Sequence, residues 1–137
     1  MLNQAVGYAA SALGYVANTK GRTALVKEIA EACGIPSPYL AKIIHSLSKS
    51  GIVTTQRGIG GGVTLARPAE QLTLWELCQA MNDPIIHARC MLGTAQCSDE
   101  RACPAHAFWK EHRAQHMEFL MRTTIADVAA FEMSRRQ

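Results

Sequence analysis

Four glycines fall within the five positions from Gly58 to Gly62, and the residues on either side leave few folds open. Ile52-Val53-Thr54-Thr55 before them and Val63-Thr64-Leu65 after them are strand-forming by their β-branched content. Glycine lets the backbone turn sharply where other residues are strained. The segment therefore reads as a β-hairpin with a tight, exposed tip and with Gln56 and Arg57 at its base. It is not a nucleotide cradle, because it joins strand to strand and has neither a phosphate-loop lysine nor a following helix.

Three helices precede the hairpin. Asn3 can cap a first helix reaching about Asn18, with Val6, Ala9, Leu13 and Val16 on one face. Thr23 is placed to cap a second helix over residues 24–33, with Leu25, Ile29 and Ala32 inward. Gly34 ends that helix. Ser37 and Pro38 suit the N-cap and first position of a third helix, which carries Leu40, Ile43, Ile44 and Leu47 at helical spacing up to Gly51. Two short helices joined by a glycine turn form a helix-turn-helix, and the following hairpin makes it winged. The third helix is then the reading helix. Its outward residues are Ser37, Pro38, Tyr39, Lys42, His45, Ser46 and Lys49. The expected DNA contacts are Ser37, Pro38, Tyr39, Lys42 and His45 on this helix, with Gln56, Arg57 and Gly60 in the wing.

Charge agrees with that assignment. The net charge is +3, but residues 1–68 hold seven Lys/Arg against two acids, whereas residues 69–137 hold seven against nine. The basic half is the half that can meet phosphates.

Beyond the wing, Thr73 and Glu76 can form a capping box for a helix carrying Leu74, Leu77, Cys78 and Met81, which Asn82-Asp83-Pro84 breaks. Cys33 and Cys78 occupy apolar helical positions and read as buried small hydrophobes. Cys90, Cys97 and Cys103 differ, because the stretch from Cys90 to His106 has no hydrophobic period. Cys103 precedes Pro104 at a helix start, where the helix dipole favours a thiolate. His106 is three residues on, so both can point at one site, although His106 also fits as an ordinary first-turn residue. From Pro104 the pattern predicts one helix to about Ser134, roughly 45 Å long. So long a helix lacks partner surface within its own chain, which predicts pairing with a second copy.

Reading helix, wing and cysteine loop together resemble the Rrf-two-type winged-helix regulators, the group of iron–sulfur regulators that includes IscR, NsrR and RirA. The resemblance rests on Tyr39-Leu40, on the run from Leu47 to Gly51, and on Arg57-Gly58-x-Gly60-Gly61-Gly62-x-x-Leu65-Ala66. It also rests on Cys90, Cys97 and Cys103 ahead of Pro104-Ala105-His106-Ala107-Phe108-Trp109, and it covers almost the whole chain. It implies a mainly α fold with a small β-hairpin: a winged helix-turn-helix over residues 1–84, a cofactor loop over 85–103 and a dimerisation helix over 104–137. The implied function is that of a homodimeric repressor on palindromic double-stranded DNA. Its iron–sulfur cluster would sense iron, oxidant or nitric oxide.

The implied metal ligands are Cys90, Cys97, Cys103 and His106. Three sulfurs and one imidazole suit a 2Fe–2S cluster, while a 4Fe–4S cluster on three cysteines stays open. Some relatives take a fourth ligand from an Asp, Glu or His early in the first helix of the partner subunit, but residues 3–12 contain none. Zinc in a Cys3His site is the metal alternative. The alternative without a cofactor is a thiol/disulfide redox sensor. No arrangement of catalytic residues is apparent, so an enzyme is not expected. The segment from Ala5 to Ala17 lacks the basic flank of a signal peptide, and no apolar run spans a bilayer, so a cytoplasmic protein with no membrane partner is expected.

Overall fold

Asn3 starts the fold: its side-chain oxygen accepts from the Val6 amide at 3.0 Å and caps α1 (Gln4–Ala17). In this computed structural model, residues 1–93, 95–101 and 103–135 are described, so the last two residues of the expected C-terminal segment lie outside the described residues. Val6, Ala9, Leu13 and Val16 bury the inner face of α1. Around it pack α2 (Val26–Cys33) and α3 (Ser37–Lys49). Gly34 ends α2 in the left-handed conformation at φ 68°, and the Ile35 amide returns to the Ala30 carbonyl at 3.0 Å. This is the helix-turn-helix expected from the sequence. Buried Leu40, Ile43, Ile44 and Leu47 hold α3 against the core.

The start of α2 differs from expectation. Thr23 does not cap it; its hydroxyl donates to the Gly60 carbonyl in the wing at 3.1 Å. Ala24 is extended and exchanges both backbone hydrogen bonds with Val63. Strand pairing has displaced the first helical turn, so the helix phase shifts, Leu25 is 57% exposed, and Ala32 is exposed too. Similarly, α3 begins at Ser37 itself, which makes no capping bond, with Pro38 in its first turn.

The wing is an antiparallel pair, β1 (Val53–Gln56) and β2 (Gly62–Leu65), with Val53 opposite Leu65 and Gln56 opposite Gly62. Gly61 is packed so closely that a Cβ there would lie 2.4 Å from the Gln56 carbonyl oxygen. A short 3-10 turn, Ala69–Gln71, leads to α4 (Leu74–Ala80). The Thr73 hydroxyl accepts from the Glu76 amide at 3.2 Å, half of the expected capping box. The Glu76 carboxylate instead binds Arg67. Cys78 is fully buried, and that burial pushes its thiol up to about 11. Cys33 is only half-buried, with its sulfur 3.7 Å from the Ser11 carbonyl oxygen.

The single helix expected over residues 104–134 is two helices, α5 (His106–Arg122) and α6 (Ile125–Arg135). The cause lies at Thr123 and Thr124. Thr123 is extended, and its carbonyl accepts from the Leu74 amide at 2.9 Å. The Ile125 amide donates to the Leu72 carbonyl at 2.8 Å. Thr124 and Asp127 form a reciprocal cap, with Thr124 N to Asp127 Oδ2 at 2.8 Å and Asp127 N to Thr124 Oγ1 at 3.2 Å. That is a new helix start, not a continuation. Ile125 and Ala129 are buried, and α6 lies on α1, where Val128 meets Gly14. Thus α6 finds its partner surface within the chain. In α5 only Leu120 is buried, while Phe108 and Phe119 are exposed.

Candidate metal centre and DNA-reading surface

The cysteine loop is built as a small ribbon closed by backbone bonds. Cys90 N donates to Ala95 O at 2.9 Å and Cys97 N to Ala88 O at 2.7 Å, with Arg89 opposite Gln96. Residues directly opposed in an antiparallel pair point to the same side, and neighbours along a strand alternate. Cys90 and Cys97 therefore share one face of the ribbon as a diagonal pair. Asp83, nearly fully buried, supports its approach by accepting from the Asn3 and Ile85 amides at 2.8 and 2.9 Å. Trp109 Nε1 donates to the Arg89 carbonyl at 2.8 Å and docks the ribbon on α5.

The four sequence-predicted donors come together as two pairs. Cys90 Sγ lies 3.4 Å from Cys103 Sγ, and Cys97 Sγ lies 3.1 Å from His106 Nδ1. Cys90 is buried, and Cys97, Cys103 and His106 are half-buried. Sulfur and nitrogen ligands on one tetrahedral metal sit roughly 3.5–3.8 Å apart. Each pair is thus a few tenths of an ångström from chelating spacing. Among the described residues, no three His, Cys, Asp or Glu side chains gather around one ion position. The arrangement is two bidentate edges, not one four-donor cage.

Cys97 and His106 border an open cleft of about 320 Å³ together with Asp99, Trp109 and Lys110. Cys90 borders a second cleft, of about 440 Å³, with Leu2, Ile85, Trp109, His112 and His116.

Two residues of this site were missed by reading the sequence. The Asp99 carboxylate accepts from His106 Nε2 at 2.7 Å and from Lys110 Nζ at 2.9 Å. Those two bonds, the one from His106 foremost, hold Asp99 below the usual carboxylate range. A lone Asp in a polar loop and a Lys eleven residues later carry no periodic signal, so only the fold reveals the trio.

The expected DNA contacts all lie at the surface. Ser37, Pro38, Tyr39, Lys42 and His45 on α3, and Gln56, Arg57 and Gly60 in the wing, are exposed. Tyr39 is steadied by an edge contact with Tyr8 of α1, with ring centroids 5.6 Å apart. Ile59, also missed, is fully exposed at the wing tip. Behind the wing, Arg22 and the Tyr15 hydroxyl both bind the Glu28 carboxylate, at 2.7 and 2.5 Å. Those bonds bring Glu28 down to about 2.

A family model described as an iron-dependent transcriptional regulator, Rrf2, matches residues 2–130. The chain belongs to the Rrf2 family. An HTH-type transcriptional regulator of Aquifex aeolicus is 35% identical over 134 residues, covering 96% of this chain and 93% of that one. IscR of Cronobacter sakazakii is 30% identical over 122 residues, covering 88% and 75%. Two solved structures share the Rrf2 fold. CymR, the global cysteine regulator of B. subtilis, has a TM-score of 0.80 at 22% identity, covering 96% of this chain and 97% of that one. IscR of T. potens has a TM-score of 0.76 at 22% identity, covering 100% and 91%. As an Rrf2 member the chain is a DNA-binding transcriptional regulator and not an enzyme. No helix among the described residues is long and apolar enough to cross a membrane.

Proposed function

We propose that this regulator is a homodimeric repressor in the cytoplasm, binding a palindromic operator under the control of an iron–sulfur cluster. The observation that carries the reading is the division of the donors into Cys90 with Cys103 and Cys97 with His106. A two-iron cluster needs two ligands on each iron, and thiolate with imidazole is a donor set such clusters use. That favours 2Fe–2S over zinc, which needs all four donors around one centre, and over 4Fe–4S on three cysteines. The similarity to IscR proteins supports the same choice. When bound, the cluster would supply a centre that iron supply, oxidant and nitric oxide each affect.

The chain's own residues would carry the signal. With the four donors drawn together, the ribbon and the first turn of α5 move as one body. With the donors released, the Trp109–Arg89 bond holds the ribbon to α5 without the donor pairs, and the first turn of α5 can shift about it. Arg113 of α5 donates to the Ile85 carbonyl at 3.0 Å, and the residues after α5 bridge to the segment entering α4. The exposed Phe108 and Phe119 suit α5 to a second copy, so a shift would change the spacing of two reading heads. Ser37, Pro38, Tyr39, Lys42 and His45 would read the major groove, while Gln56, Arg57 and Gly60 track the backbone.

The test is operator affinity with and without cofactor, for the wild type and for Cys97→Ala. The reading requires the two wild-type forms to differ and the variant to behave as the cofactor-free form. Equal affinities and sequence preferences would overturn it. A second reading, a cofactor-free thiol sensor, is favoured by the 3.4 Å approach of Cys90 and Cys103. Mass spectrometry of thiols after mild peroxide would detect that disulfide.

A further inference from the structure

We infer that Asp99, backed by Lys110, is the positioning residue that makes Nδ1 rather than Nε2 the metal-binding nitrogen of His106. The inference deepens the cluster reading and rests on it for its metal-binding half. A carboxylate can only accept a hydrogen bond, so the 2.7 Å contact with Asp99 places a proton on Nε2. The nitrogen left as the electron-pair donor is Nδ1, and this is the one 3.1 Å from the Cys97 sulfur. One bond therefore sets both the tautomer and the ring orientation.

Lys110 is one turn along α5 from His106 and shares the same Asp99 oxygen at 2.9 Å. It keeps the carboxylate over α5 although Asp99 belongs to the loop. The His106 side chain is 17% exposed while Asp99 is 72% exposed, so the imidazole is enclosed and its orienting partner stands on the rim. The rim position lets Asp99 be replaced with little disturbance of the core. Relative to a histidine held only by its helix, the Asp99–His106–Lys110 trio removes the choice between two ring flips and two tautomers.

Two measurements separate this inference from the cluster reading. The first uses reduced, cluster-free protein with ¹⁵N-labelled histidine rings at mildly alkaline pH, read by multiple-bond proton–nitrogen correlation. Wild type should show His106 with the proton on Nε2. Asp99→Ala should give a mixture of tautomers, and Asp99→Asn, which keeps an accepting oxygen, should restore the wild-type pattern. An unchanged tautomer in Asp99→Ala would overturn the inference whether or not a cluster binds.

The second measurement loads the protein with iron and sulfide and reads pulsed electron paramagnetic resonance of the reduced form with histidine labelled at Nδ1 alone. Strong coupling to the labelled nitrogen is expected. Strong coupling only to an unlabelled ring nitrogen would overturn the inference. In Asp99→Ala the loaded form should lose iron to a chelator roughly 10- to 100-fold faster, the scale seen when a partner of a metal-bound histidine is removed. Failure to load at all would defeat the cluster reading, while the first measurement would still decide the role of Asp99.

Discussion

The indole nitrogen of Trp109 donates to the carbonyl oxygen of Arg89 at 2.8 Å, and this bond fastens the cysteine ribbon to the helix that carries His106. It acts beside the Cys97–His106 pair and the Asp99 contacts with His106 and Lys110, which also tie the loop to α5. Trp109→Phe keeps the ring but removes the donor. A hydrogen bond of this kind contributes about 1 kcal/mol, so the equilibrium constant for docking the ribbon should fall roughly five-fold. The check is the rate at which iron and visible absorbance are lost to a chelator. DNA binding by the cofactor-free protein should be unaffected.

Arg57 stands exposed at the base of the wing, and no salt bridge engages it among the described residues. Arg57→Ala should weaken binding to all sequences alike and make the slope of log affinity against log salt about 0.9 shallower. Titrations at several salt concentrations measure this. An unchanged slope would remove Arg57 from the phosphate contacts.

Gly61→Ala should cost more DNA affinity than its single methyl suggests. The added Cβ would meet the Gln56 and Gly58 carbonyl oxygens at 2.4 and 2.9 Å, and backbone atoms cannot step aside as a side chain can. The wing tip must move, taking with it the Thr23 bond to Gly60. Affinity for the operator should drop about tenfold or more by fluorescence anisotropy. The atoms nearest the added Cβ all belong to the wing, so the helical core should keep its unfolding midpoint to within a few degrees.

Glu28 links pH to stability. Bonded by Arg22 and Tyr15, it lies at about 2 in the folded chain against an ordinary value of 4.5. The unfolded chain therefore takes up its proton first as acid is added. Its stabilising contribution is complete above pH 4.5 and fades as pH falls towards about 2. Urea midpoints of wild type and Glu28→Gln should differ by a constant amount near neutrality and converge across that window. Parallel curves down to the lower limit would show that the Arg22–Glu28 pair is too solvated to matter.

Much of this fold was legible in the sequence because its signals are local. The glycine run gives the wing, Gly34 gives the turn, and the spacing of Leu40, Ile43, Ile44 and Leu47 gives the reading helix. The errors came where tertiary pairing overrode a local signal. Thr23 looks like a cap until Ala24 is claimed by Val63, a partner 39 positions away. The break after Arg122 was available in principle, since Thr124-x-x-Asp127 is itself a capping signature. It was hidden because the apolar stripe from Met117 to Phe131 keeps helical spacing across the break. At the metal centre the donors were visible from residue type and spacing. Their division into two pairs was not, because it depends on the ribbon register. Asp99 and Lys110 were invisible for the same reason.

The measurement that bears most directly on the account is the iron and acid-labile sulfide content of anaerobically purified protein, read with its visible spectrum. The paired donors predict iron and sulfide in equal amounts, about two of each per chain, as a 2Fe–2S centre requires. They also predict visible absorbance that disappears in Cys97→Ala. A colourless wild-type protein that takes up neither iron nor sulfide, even after anaerobic reconstitution, would contradict the account and leave Cys90 and Cys103 as a thiol pair.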